Sequence, residues 1–102
     1  MRRKEITDSI KKAIIAMPYP IEGWLFGSEA RGDARPDSDI DLLLLVDSSV
    51  VSSQMENDIF EPLYQIELSS GISINPLILP KEQWGMTVSP FYLNVTNERV
   101  RI

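Results

Sequence analysis

The 102-residue sequence contains no cysteine and no histidine. The first absence removes disulfides and thiolate nucleophiles. The two together remove the usual zinc sites and the imidazole general base. Metal chemistry in this chain must therefore rest on oxygen donors, which suit Mg²⁺, Mn²⁺ or Ca²⁺. A long apolar run is also lacking, so no segment is expected to span a membrane. Met1-Arg2-Arg3-Lys4 has the charge of a signal-peptide start, but Glu5, Asp8, Lys11 and Lys12 interrupt the apolar stretch that should follow. A cytoplasmic protein is the expectation. Basic charge is in deficit too: the net charge is −5, whereas a free-standing nucleic-acid binder carries a basic surface. A nucleic-acid partner is not expected. What remains, 43% hydrophobic and 25% charged residues, is the composition of a folded globular chain. Its length allows one domain, residues 1–102, with one modest core.

Ile6, Ile10, Ala13, Ile14 and Met17 recur at helical spacing, and Pro18 and Pro20 stop that helix. Ile21 to Phe26 is short, apolar and aromatic, and reads as a strand that ends at Gly27-Ser28. Residues 29–38 are polar, with Gly32 and Pro36 as breakers. Asp39 to Val46 reads as a second strand, rich enough in leucine to be covered on both faces. Ser53 and Glu56 have capping-box spacing. Met55, Ile59, Leu63 and Ile66 give a second amphipathic helix, which Pro62 should kink or split and Gly71 should cap. Ile72 to Leu79 reads as a third strand, placed at an edge or a bulge by Pro76. Pro80 to Trp84 could open a short helix, and Phe91 to Val95 and Val100 to Ile102 read as a last strand or a packed tail. The expected fold is α/β (α+β), a small mixed sheet with helices packed on it. The short link between strands one and two favours an antiparallel pair, and the helical link between two and three allows a parallel one.

Chemistry concentrates in one stretch, Gly27-Ser28-Glu29-Ala30-Arg31-Gly32 through Ser38-Asp39-Ile40-Asp41-Leu42. Strand periodicity sends Asp39 and Asp41 to the same face, about 7 Å apart at Cα, and Ile40, Leu42 and Leu44 to the other. Two carboxylates side by side repel, and a divalent cation would relieve that repulsion by joining them. Gly27 permits close backbone approach to a phosphate. Free N–H groups and the Ser28 hydroxyl can donate to phosphate oxygens, and Arg31 adds a bidentate cation. Donors on one side and metal carboxylates on the other make a triphosphate site. Three other readings fail. Gly27 and Gly32 have P-loop spacing, but Asp33-Ala34 stands where Lys-Ser/Thr is required. Asp37, Asp39 and Asp41 start like an EF-hand, but Leu42 and Ser48 occupy its glycine and glutamate positions. Arg31-Gly32-Asp33 is an adhesion tripeptide in a chain with no secretion signal.

Taken together, Gly-Ser, the Ala-Arg-Gly turn and Ser-Asp-Ile-Asp-Leu entering a strand resemble the signature of the DNA polymerase beta-like nucleotidyltransferase superfamily. The likeness is strongest to its minimal members. The resemblance implies that Gly27 and Ser28 hold a triphosphate, with Arg31 and Ser38 as further nucleotide-binding candidates. It implies that Asp39 and Asp41 are catalytic and bind Mg²⁺ or Mn²⁺. It implies transfer of a nucleoside monophosphate, AMP from ATP, to an acceptor hydroxyl. Members of this size are often paired with a small helical HEPN-type protein, and some act as antitoxins that place AMP on that partner. A partner or a homo-oligomer would have to supply the acceptor surface. One position departs from the pattern: active relatives carry a third carboxylate on a later strand, where this chain has Asn75, with Ser73 as the alternative match. Glu67 or Glu82 could substitute. A module that binds nucleotide without turnover, serving as a stoichiometric protein partner, is the competing expectation. Trp24, Phe26, Trp84, Tyr64 and Tyr92 are expected to be packed side chains. Arg2, Arg3 and Lys4 are expected to form a solvated helix start, and Asp33, Arg35 and Asp37 an exposed loop.

Overall fold

The computed structural model describes residues 3–102. Helix α1 (Arg3–Ala16) buries Ile6, Ile10 and Ile14, the stripe that the spacing predicts. Strand β1 (Ile21–Phe26) runs straight into a single-turn helix, α2 (Gly27–Arg31). An irregular loop then returns the chain to β2 (Ile40–Val46), which pairs antiparallel with β1. Asp39 lies one residue outside that strand, not within it. Helix α3 (Ser53–Ser70) crosses over to β3 (Ile74–Pro80), which pairs parallel with β2. A 3₁₀ turn (Lys81–Gln83) precedes helix α4 (Pro90–Glu98), and β4 (Val100–Arg101) adds two residues to the free edge of β1. The sheet order is β3-β2-β1-β4, the mixed sheet with packed helices that the sequence implies.

The central strand divides the molecule. Ile40, Leu42, Leu44 and Val46 face α1 and α3, where they meet Ile6, Ile10, Ile59 and Leu63. Leu43 and Leu45 face the opposite way, into a smaller cluster with Val95 of α4 and the half-buried Trp24, Phe26, Leu77 and Trp84. Because β2 is covered on both faces, it reads as a continuous apolar run. Each fully buried Leu or Ile there contributes roughly 1.5–3 kcal/mol.

Three elements differ from expectation. The α3 cap is Ser52, whose hydroxyl accepts from Met55 N–H at 3.2 Å, so the Ser53/Glu56 box is not used. Pro62 lies inside α3 without splitting it. Ile59 and Leu63 on either side are buried against the sheet, and that burial outweighs the roughly 3 kcal/mol a helical proline costs. Phe91 to Val95 is helix, not strand. Ser89 caps α4 by accepting from Tyr92 N–H at 3.1 Å, and Pro90 takes the first turn, a start signal stronger than strand propensity. Gly71 caps α3 as anticipated, in the left-handed region at φ 73°. The edge position of β3 accommodates Pro76.

Candidate active site at the Gly27 turn

The same alternation that buries Leu43 and Leu45 places Asp41 on the α4 side of the sheet, opposite Asn75 in the parallel β2–β3 ladder. Asp39 reaches this point from the loop. The Asn75 side-chain amide donates to Asp39 Oδ2 at 3.4 Å and to Asp41 Oδ1 at 3.3 Å. Two carboxylates thus converge on one nitrogen, as their spacing suggests. Asp39 is exposed and Asp41 half-buried, so an ion from solvent could reach both.

Gly27 lies against Asp41. The Phe26–Asp41 pairing ends the β1–β2 ladder, and the next residue must turn sharply into α2. Gly27 does so at φ 69°, and a Cβ at this position would collide with the Asp41 carboxylate. Both facts require glycine: the backbone is left-handed, and the carboxylate occupies the space a side chain needs. Ser28 follows in the first turn of α2, which ends at Gly32 (φ 78°).

A carboxylate that the sequence does not signal completes the site. Glu98, at the end of α4, accepts from Gly27 N–H at 3.0 Å and from Arg31 Nη1 at 3.3 Å. It lies 71 residues from Gly27, and nothing in its local sequence marks it. Glu67 and Glu82, the substitutes considered for a third carboxylate, are elsewhere. Glu67 accepts from Ile74 N–H at 2.7 Å, and Glu82 sits in the 3₁₀ turn beyond the far end of β3. Among the described residues no three His, Cys, Asp or Glu side chains are grouped closely enough to hold a metal ion. The oxygen donors at this point are the two carboxylates, towards which Asn75 turns its amide nitrogen. Hard oxygens of this kind fit Mg²⁺ or Mn²⁺.

Arg31 is half-exposed and lies between Asp33 (3.3 Å) and Glu98 (3.3 Å). The hydrogen bond to Asp33, reinforced by Glu98, raises its pKa above the ordinary guanidinium value. Ser38 is a turn residue: its hydroxyl accepts from Arg35 N–H at 2.9 Å. The loop containing it is held by Arg3, which is not a solvated helix start. The Arg3 Nε donates to Glu29 Oε2 at 2.7 Å, and its Nη1 donates to the carbonyls of Arg35 (3.1 Å) and Ser38 (2.8 Å). The first residue of α1 therefore ties α2 to the segment that delivers Asp39. Arg2 lies outside the described residues. Asp33, Arg35 and Asp37 are exposed as expected, and Tyr92 packs on Trp84 with centroids 4.9 Å apart. Tyr64, by contrast, is 53% exposed and not a packed side chain.

Comparison with known proteins agrees with this architecture. A structure described as a toxin-antitoxin with AMP-PNP superposes with a TM-score of 0.65 at 15% identity, covering 92% of this chain and 69% of that one. A protein from Sulfolobus solfataricus assigned as a nucleotidyltransferase superposes at 0.55 with 17% identity, covering 95% of this chain and 76% of that one. At such identities the likeness establishes the fold. No curated protein matches in sequence. The nucleotidyltransferase domain model matches residues 7–83, a span that contains Gly27, Ser28, Asp39, Asp41 and Asn75, and by that match the chain belongs to the nucleotidyltransferase domain family.

Proposed function

We propose that this chain, acting as a single minimal domain, transfers a nucleoside monophosphate from Mg-ATP to a hydroxyl on a partner protein, as one member of a toxin–antitoxin pair. The observation that carries the reading is the convergence of Asp39 and Asp41 on one point, with the Gly27 turn packed against the Asp41 carboxylate. The neighbour solved with AMP-PNP in a toxin-antitoxin assembly supports the nucleotide and the setting. A small helical protein of the HEPN type is the proposed partner. No helix among the described residues is long and apolar enough to cross a membrane, and the acidic balance speaks against a nucleic-acid acceptor.

Ser28 and the backbone N–H groups of the turn would bind the β- and γ-phosphates, with Arg31 beside them. Ser38 would act by shaping the loop. Asp39 and Asp41 would hold a divalent cation, which supplies charge neutralisation for the triphosphate. The acceptor oxygen attacks the α-phosphorus as the bond to the bridging oxygen of the β-phosphate breaks and pyrophosphate leaves. Asp41 would take the hydroxyl proton. Glu98 presently occupies the Gly27 N–H, so a bound triphosphate has to displace this carboxylate.

One observation favours a second reading, a nucleotide-binding module without turnover. The Asn75 amide already bridges Asp39 and Asp41, where an active site would place a third carboxylate instead. The two readings separate in one experiment. Purified protein, Mg²⁺ and α-labelled ATP are added to a lysate of the source cells, with the Asp39→Asn/Asp41→Asn protein as control. A protease-sensitive label absent from the control is the expected result, and its mass identifies the acceptor. A nuclease-sensitive label would refute the protein acceptor. No label above control, with Mg-ATP binding retained, would establish the silent module.

A further inference from the structure

The opposite side of the molecule carries a second feature, which the nucleotide chemistry leaves unused. Along α3, Phe60, Tyr64 and Leu68 are 43%, 53% and 61% exposed, at successive i, i+4 positions. Phe60 and Tyr64 line a cavity of about 370 Å³ whose other wall is Ile74 and Pro76 of the edge strand β3. Glu61 and Glu67 are its charged lining residues, beside Asn57 and Leu63. The charge here is one-sided: α3 carries Glu56, Asp58, Glu61 and Glu67, and residues 36–80 contain no lysine or arginine. An apolar stripe beside carboxylates, with no basic residue in the groove, is complementary to an apolar stripe flanked by cations.

The edge of β3 decides the shape of the occupant. Successive residues of a strand direct their N–H groups to alternate sides, so Ile74, Pro76, Ile78 and Pro80 form the outer row. Pro76 and Pro80 have no N–H, and the N–H of Ile74 is taken by Glu67 at 2.7 Å. Only Ile78 could donate to an added strand, so the edge is blocked against β-pairing. What the groove offers is side-chain contact, the mode in which an amphipathic helix lays one face into a cleft.

We infer that the groove between α3 and the β3 edge is a docking site for a lysine- or arginine-rich amphipathic helix of a partner protein. This stands apart from the catalytic reading, because Ile74 and Pro76 face α3 whereas Asp41 and Asn75 face α4, and binding can be measured without turnover. A second copy of this chain is the competing occupant, since Lys11, Lys12 and Ile15 are exposed on α1.

The test uses the full chain and a fluorescein-labelled 18-residue peptide with leucines at helical spacing and lysines elsewhere. A glutamate-for-lysine version and a scrambled version without the periodicity serve as controls. Binding is followed by anisotropy and mapped by backbone amide NMR. The expected result is binding of the lysine peptide alone, with shifts confined to residues 57–68 and 74–78. Tyr64→Ser and Glu61→Lys, both at exposed positions, should each weaken it about tenfold or more with melting temperature unchanged. No binding, equal binding of either control peptide, or shifts centred away from the groove would overturn the inference. Self-association in sedimentation that Tyr64→Ser abolishes would also overturn it and assign the groove to a second copy.

Discussion

The two faces of the sheet are built from alternate residues of one strand, yet they do different work. On the α1/α3 face, β2 contributes Ile40, Leu42, Leu44 and Val46 to a core closed by two long helices. On the α4 face the same strand contributes Leu43 and Leu45, but its first outward residue is Asp41, and the single covering helix is only nine residues long. On the first face every β2 side chain is covered; the second is open at the end where the carboxylates lie. The difference indicates that stability and chemistry are segregated by the strand's period of two, so each can be disturbed without the other.

The largest expected effect is on the α1/α3 face, where Leu44 is fully buried. Leu44→Ala should cost about 2–5 kcal/mol in urea unfolding, a large share of the about 5–15 kcal/mol such a domain has. Asp41→Asn should lower nucleotidyl transfer by about a hundredfold or more while shifting stability by less than about 0.5 kcal/mol, because it removes a like charge from beside Asp39. If Asp41→Asn lowered the melting temperature as far as Leu44→Ala, the segregation would be refuted. Gly27→Ala should disturb stability and chemistry together. It should cost about 1–3 kcal/mol through its positive φ and also displace the Asp41 carboxylate, so unfolding and activity should both fall.

Smaller effects sharpen the account of the open face. Glu98→Gln removes the negative charge that competes for Gly27 N–H, and should tighten Mg-ATP binding severalfold, about 1 kcal/mol in calorimetry; weaker binding would assign Glu98 a role in holding nucleotide. The smallest effect is at Glu22. Burial pushes its pKa up, but the hydrogen bonds from Lys81 and Trp24 and the charges of Lys81 and Arg101 outweigh burial and hold it below the ordinary carboxylate value. Its contribution is therefore present above that value and lost as pH falls through the lowered one. Glu22→Gln should cost less than about 1 kcal/mol near neutral pH and nothing once the carboxyl is protonated.

Local pattern was enough to read the main elements. The isoleucine stripe of α1, the run from Ile21 to Phe26 and the leucines of β2 each carry their own periodicity. The places of Asp41 and Gly27 were legible because strand alternation and a turn act over a few residues; Asp39 comes to Asp41 from the loop, one residue before the strand that was expected to hold it. Glu98 was not, because its place depends on how α4 lies across the sheet. Arg3 was hidden for a related reason: a basic residue at a helix start looks like a solvent-facing charge until the loop it holds is in place. The helical state of Phe91 to Val95 was present in Ser89-Pro90, and aromatic content obscured it.

The Arg3 clamp has a consequence for the order in which the site can assemble. Its partners at Arg35 and Ser38 are 32 and 35 positions away along the chain, a long loop to close. Before α1 docks, the segment from Gly32 to Ser38 keeps only local hydrogen bonds, among them Asp33 N–H to Ser28 and Ser38 N–H to Arg35, and the loop that leads to Asp39 lacks its long-range brace. The placement of Asp39 therefore follows the docking of α1. Arg3→Ala should leave a chain whose far-ultraviolet spectrum recovers on refolding while site geometry does not, a way to watch architecture and competence part in time.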